Sequence, residues 1–133
     1  MALIFDTSVL ISLEKEDAKT ISEISLLRRI HYTRPQITFI SVFEFTIGIK
    51  NRSPKNKAKA IDFLNEFNCL HATKKTAEII SDLKVKYDKI GINLSLADLI
   101  IAGQAKENNM TLLTMDKAFG KIEEISKIIL NAG

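Results

Sequence analysis

The chain has 133 residues, 46% of them apolar and 26% charged, the size and balance of one ordinary domain with a real core. Its formal charge of +3 is a mild basic excess that suits a polyanionic partner without requiring one. A single cysteine, Cys69, and two histidines, His31 and His71, exclude an internal disulfide and a Cys/His zinc cluster.

Leu3-Ile4-Phe5 is a short apolar run closed by Asp6-Thr7-Ser8, the pattern of a brief buried strand that ends in a polar turn before a helix. The run is too short for a signal-peptide core, and no stretch reaches the roughly 18 apolar residues of a membrane span. A single cytoplasmic domain over residues 1–133, with no membrane contact, is therefore expected. From Asp17 to about Tyr32, Ile21, Ile24, Leu27 and Ile30 recur at helical spacing until Arg34-Pro35 breaks the pattern. Gln36 to Ile40 is rich in β-branched residues and predicts a second strand; Ser41-Val-Phe-Glu44 follows with capping-box spacing, so a buried helix is expected to start at Ser41 and reach about Arg52.

Ser53-Pro54 then opens a helix through Ala58, Ile61, Leu64 and Phe67, and Cys69 to Ala72 predicts a third strand. Thr73 can cap a long helix that ends near Gly91, and Ser95-Leu-Ala-Asp98 repeats the capping-box spacing at the head of another. Asn108-Asn109 stops that helix, Thr111 to Thr114 predicts a fourth strand with Asp116 just beyond it, and Ile128 to Leu130 a short fifth. Strands alternating with helices imply right-handed crossovers: an α/β fold of three layers, α/β/α, around a mostly parallel sheet of four to five strands.

In such a sheet ligands bind beyond the carboxyl ends of the strands. Asp6, Glu44 and Asp116 each follow a predicted strand; Asp98 opens the helix before the fourth strand, and in this topology that helix also begins at the same edge. Asp6, Glu44 and Asp98 stand in apolar sequence with no Lys or Arg built in beside them, where a lone charge is costly. Two carboxylates about 5 Å apart at an effective dielectric near 20 repel by roughly 3 kcal/mol, so four together must take up protons or a cation. Mg²⁺ or Mn²⁺, which favour oxygen ligands, fit that demand, and such a site suits hydrolysis of phosphodiesters.

Each acid also has a purely structural reading. Glu44 and Asp98 can complete capping boxes, Asp6 can cap the first helix and Asp116 can make a turn. Ser8 and Thr114, close to Asp6 and Asp116, are candidates to donate, from outside the ligand set, to a metal-bound water or the scissile phosphate, or to serve the backbone. Lys50, Arg52, Lys55 and Lys57, with Lys59, form the one strong composition shift; they suit phosphate contacts or a solvated face.

Leu-Ile-Phe-Asp6-Thr-Ser-Val-Leu, Ser41-Val-Phe-Glu44, Leu96-Ala-Asp98-Leu-Ile-Ile-Ala and Leu113-Thr114-Met-Asp116-Lys-Ala-Phe119, in this order and spacing, resemble the PIN-domain nucleases over essentially the whole chain. The resemblance implies Mg²⁺- or Mn²⁺-dependent cleavage of RNA at Asp6, Glu44, Asp98 and Asp116. Single-domain members of this size resemble the VapC toxins of toxin–antitoxin pairs, which implies a homodimer and a cognate antitoxin partner that puts a basic side chain into the acidic pocket. Stand-alone PIN nucleases of RNA processing share the same motifs. A phospho-accepting receiver domain would need an acceptor Asp after strand three, and a haloacid-dehalogenase-type phosphatase an Asp-x-Asp after strand one; neither is present. A non-catalytic RNA-binding module would use the basic stretch alone.

Overall fold

A computed structural model describes residues 2–30 and 33–131; His31 and Tyr32, the expected end of the second helix, lie outside them. β1 (Leu3–Phe5) leads through Asp6 into α1 (Thr7–Glu14), and α2 (Ala18–Arg28) follows. Next come β2 (Gln36–Ile37), α3 (Phe39–Ile49), α4 (Pro54–Leu64), β3 (Asn68–Cys69) and α5 (Lys74–Lys89). α6 (Leu96–Glu107), β4 (Thr111–Thr114), a 3₁₀ helix (Lys117–Lys121) and β5 (Ser126–Ile129) complete the order. The five strands form one sheet in the order β3-β2-β1-β4-β5, every pair parallel.

β1 and β4 pair in the register Leu3↔Thr111, Ile4↔Leu112 and Phe5↔Leu113. Side chains of a strand alternate between faces, and the core divides accordingly. Ile4 and Leu112 pack with Leu83, Tyr87, Leu99 and Ala102 of α5 and α6 and with Phe119. Leu3, Phe5 and Leu113 pack on the other face with Val9, Leu10, Ile24, Phe45 and Ala60 of α1 to α4. The sandwich of helices over both faces is the three-layer α/β/α architecture expected from the alternating pattern. A Cβ built on Gly103 of α6 would stand 2.6 Å from Ile80 Cγ1, so glycine lets α5 and α6 approach closely over this core.

Several caps fall where the sequence puts them. Ser95 Oγ accepts from Asp98 N–H, Ser53 caps α4 with Pro54 in its first turn, and Thr73 forms a reciprocal box with Thr76 at the head of α5. α5 ends before Gly91, whose φ of 79° is left-handed backbone suited to glycine.

The start of α3 differs from expectation. The helix begins at Phe39 rather than Ser41, because Thr38 Oγ1 accepts from Ser41 N–H at 3.2 Å and is the cap. Thr38 and Ser41 can both cap in principle; β2 is only two residues long, so the chain is free to turn at the earlier one. Glu44 thus stands in the second turn of α3, six residues past the cap, and completes no capping box. β3 is likewise shorter than expected and ends at Cys69, although Leu70 N–H still bonds to Ile37 O at 2.8 Å. α4 stops at Leu64, and Phe67 beyond it packs on Phe5 and Phe63 at ring-centroid distances of 5.8 and 5.3 Å. Among the described residues no helix is long and apolar enough to cross a membrane.

Candidate functional site

The strand order reverses between β1 and β4, the place where an open α/β sheet leaves a crevice at its carboxyl edge. Asp6 follows β1 there and Asp116 follows β4. α3 and α6, which connect parallel strands, begin at the same edge, with Glu44 in the second turn of α3 and Asp98 in the first turn of α6.

Asp6 is only 7% exposed. It caps α1 through Oδ1, which accepts from Thr7 N–H at 2.7 Å. Its other oxygen, Oδ2, accepts from Thr114 Oγ1 at 2.6 Å and Ser8 Oγ at 3.0 Å. Both hydroxyls also accept from the turn after β4, Ser8 from Met115 N–H and Thr114 from Asp116 N–H. Ser8 and Thr114 therefore tie Asp6 to the turn that carries Asp116. Burial pushes the Asp6 carboxyl above its usual range, against the lowering effect of these hydrogen bonds, and the charge of Asp116 adds to the rise.

Asp98 is also pushed up, first by burial and then by the charge of Asp116, with smaller contributions from Asp6 and Glu44. The other three carboxylates thus all act on the ionisation of Asp98. None of the ion pairs among the described residues involves any of the four.

No three Asp, Glu, His or Cys side chains among the described residues stand close enough together to hold a metal ion. Three of the acids are each bonded to a local scaffold. Asp6 is held by Ser8 and Thr114, Glu44 Oε1 accepts from Thr7 Oγ1 at 2.7 Å, and Asp116 Oδ1 caps the 3₁₀ helix by accepting from Ala118 N–H at 2.9 Å. The donor set nonetheless fits a hard divalent cation: it is all oxygen, carries excess negative charge and has no basic side chain bonded to it. Glu44 and Asp116 are exposed and can turn from their present partners.

Lys50, Arg52, Lys55 and Lys57 fall at the end of α3 and the start of α4. Arg52 is bonded to Glu14 at 2.7 Å, at the far end of α1 from Thr7. Thr7 and Glu14 are seven residues apart on one helix, about 10 Å along its axis, so the basic stretch begins roughly that far from the carboxylates. The lysines of the stretch have no ion pair among the described residues. Thr7 was not evident as a functional residue in the sequence; its signal is a hydroxyl directly after Asp6, at a helix start facing the helix that bears Glu44.

A separate cavity of about 500 Å³ lies under α1, α2 and α4, lined by Phe5, Leu13, Ile24, Phe63 and Phe67 with Arg28 and Glu66. It contains none of the four acids. On α3, Phe39, Phe43 and Ile47 stand one helical turn apart and are 48%, 57% and 56% exposed.

No curated protein matches the chain in sequence. Among solved structures, VapBC2 from Rickettsia felis bound to a DNA fragment from their promoter superposes with a TM-score of 0.85 at 20% identity, over 98% of this chain and 100% of that one. VapBC-1 from nontypeable Haemophilus influenzae gives a TM-score of 0.82 at 24% identity, over 97% and 98% of the two chains. A toxin–antitoxin complex from Klebsiella pneumoniae gives 0.75 at 24%, over 94% and 95%. Identities this low establish a shared fold. Family membership rests on sequence: residues 3–125 match the PIN domain, and by that span, which holds all four acids, the chain belongs to the PIN-domain family of nuclease-type hydrolases.

Proposed function

We propose that the protein is a Mg²⁺- or Mn²⁺-dependent endoribonuclease, the toxin of a VapBC-type toxin–antitoxin pair, acting in the cytoplasm. The observation that carries this reading is the burial of Asp6 beside Asp98, Glu44 and Asp116 with no cationic side chain bonded to any of them. Asp6, Glu44, Asp98 and Asp116 would hold the cation. When bound, a divalent cation supplies the positive charge that activates water and offsets the charge gathering on the phosphate.

The chain's own part is to place and tune the acids. Ser8 and Thr114 fix Asp6 Oδ2 and the turn after β4, so the edge keeps its shape when RNA arrives. Asp98, raised by burial and by its acidic neighbours, gains from a cation. Lys50, Lys55 and Lys57 extend positive charge along the path of a backbone that leaves the acids, and Arg52 braces α3 against α1 through Glu14.

An antitoxin partner is supported by the toxin–antitoxin complexes that share the fold, and the apolar cavity under α1, α2 and α4 offers a protein segment a seat. Pairing of two copies is supported by the exposed Phe39, Phe43 and Ile47 stripe; Phe43→Glu is then expected to shift the sedimenting species from dimer to monomer. The catalytic reading is tested with purified protein on total RNA with Mg²⁺ or EDTA. Cleavage that needs Mg²⁺ and vanishes in Asp98→Asn is expected, and equal cleavage by the two proteins would sink the site. Growth arrest on expression, relieved by Asp6→Asn, separates a toxin from a stand-alone processing enzyme.

A further inference from the structure

Thr7 is the first residue of α1, and its hydroxyl has one proton and two acceptors in reach. Glu44 Oε1 lies at 2.7 Å and Ser41 Oγ at 3.0 Å. Ser41 is fully buried and stands 3.4 Å from Thr38 Oγ1, the cap of α3. Three hydroxyls therefore join the heads of α1 and α3, and the chain ends on the Glu44 carboxylate.

Glu44 has no ion pair among the described residues, and its side chain is exposed. A glutamate in that setting spreads over many rotamers, and only a fraction of them leave its carboxylate at the acid edge. A short bond from a half-buried hydroxyl, itself fixed on a helix end beside Asp6, removes most of that freedom. The second acceptor matters as well. When Glu44 turns to another partner, the Thr7 hydroxyl can donate to Ser41 Oγ instead, so it is not left unpaired in the half-buried seam between α1 and α3.

We propose that Thr7 is the positioning residue for Glu44: its hydroxyl keeps the glutamate at the acid edge, poised to join Asp6 and Asp98 on a divalent cation, with Ser41 as the alternative acceptor. This rests on the four-carboxylate reading above. The competing view is that Thr7 only packs α1 against α3.

The test is Mn²⁺ binding to the purified chain, followed by electron paramagnetic resonance of the free ion, so that no turnover is needed. Thr7→Val, close in shape but without the hydroxyl, is expected to weaken Mn²⁺ binding roughly tenfold, the scale of losing an orienting partner. Thr7→Ser, which restores the hydroxyl, is expected to bind within about twofold of the wild type. In a Glu44→Gln background Thr7→Val should cost nothing further, since the two act as one unit. Thr7→Ala serves if the valine variant fails to fold.

Unchanged Mn²⁺ affinity in Thr7→Val and Thr7→Ala, or a loss that persists undiminished in Glu44→Gln, overturns the role of Thr7 while leaving Glu44 in the site. If Glu44→Gln itself binds Mn²⁺ as the wild type does, Glu44 is no ligand and the role of Thr7 falls with it.

Discussion

Thr114 donates to Asp6 across 108 positions of sequence, at 2.6 Å, while its own oxygen accepts the N–H of Asp116 at 3.0 Å. One buried hydroxyl thus fixes an acid on β1 and the turn that carries an acid beyond β4. Thr114→Val keeps the shape and removes both bonds, leaving the Asp116 N–H without its partner. A stability loss of about 1–3 kcal/mol is expected in urea unfolding, together with weaker metal binding, and Thr114→Ser should recover most of both. A Thr114→Val protein as stable as wild type would mean that this clamp contributes nothing.

Asp98 carries a cost in the metal-free protein. Burial and three neighbouring carboxylates oppose its ionisation, so Asp98→Asn is expected to raise the Tm of the EDTA-treated protein. The gain is about 1 kcal/mol once solvent screening is allowed for, or about 3 °C for a domain of this size. Saturating Mg²⁺ should reverse the order, because only the wild type gains from the cation.

The pH dependence of that difference has a definite sign. The folded carboxyl of Asp98 lies above its unfolded value of about 3.9. Below that value both states are protonated and the group costs nothing. As pH rises through the interval up to the raised folded value, the unfolded chain gives up a proton that the folded chain retains, and stability falls. The advantage of Asp98→Asn should therefore be full above the raised folded value and lost as the pH is taken below about 3.9. An advantage independent of pH would show that charge is not its cause.

Arg52 and the lysines should part company in RNA binding. Because Glu14 occupies the Arg52 guanidinium, Arg52→Ala is expected to change RNA affinity less than twofold, whereas each of Lys50, Lys55 and Lys57 changed to Ala should lower the salt slope by about 0.7 for single-stranded RNA. Filter binding over a salt series reads both. A slope unmoved by the three lysine changes removes the basic stretch from the interface.

Gly103 offers a packing test away from the acids. Gly103→Ala gains about 1 kcal/mol of helix propensity but drives a methyl group into Ile80, 2.6 Å from its Cγ1, an overpacking cost of about 1–3 kcal/mol. A net loss is expected, and Ile80→Ala in the same chain should turn it into a gain.

Much of this was legible in the sequence because it is local. Ser95 caps a helix at the spacing from Asp98 that the sequence shows, Thr73 caps the helix it precedes, and the apolar runs at Leu3 and Thr111 are strands because their alternation serves two cores. The head of α3 was misread because Thr38 and Ser41 carry the same hydroxyl chemistry, and Ile37 to Ile40 favour a strand by composition; which cap is used depends on how little of β2 the sheet needs. The correction leaves Glu44 without a capping role. Asp116 did prove to cap a helix, a 3₁₀ turn that no periodicity announces in five residues. Thr7 was invisible for a different reason: its partner is 37 positions away, and only the placement of α1 beside α3 brings them together.

The pairing of Leu3–Phe5 with Thr111–Thr114 also bears on how the protein is made. Leu3–Phe5 cannot find this partner strand until the roughly one hundred residues between them have been made, and contacts so distant in sequence are slow to form. Asp6 has neither Thr114 nor Asp116 beside it during that time. A chain that stops short of β4 lacks both Thr114 and Asp116, so the edge on which the four acids meet is assembled only once that strand has docked beside β1.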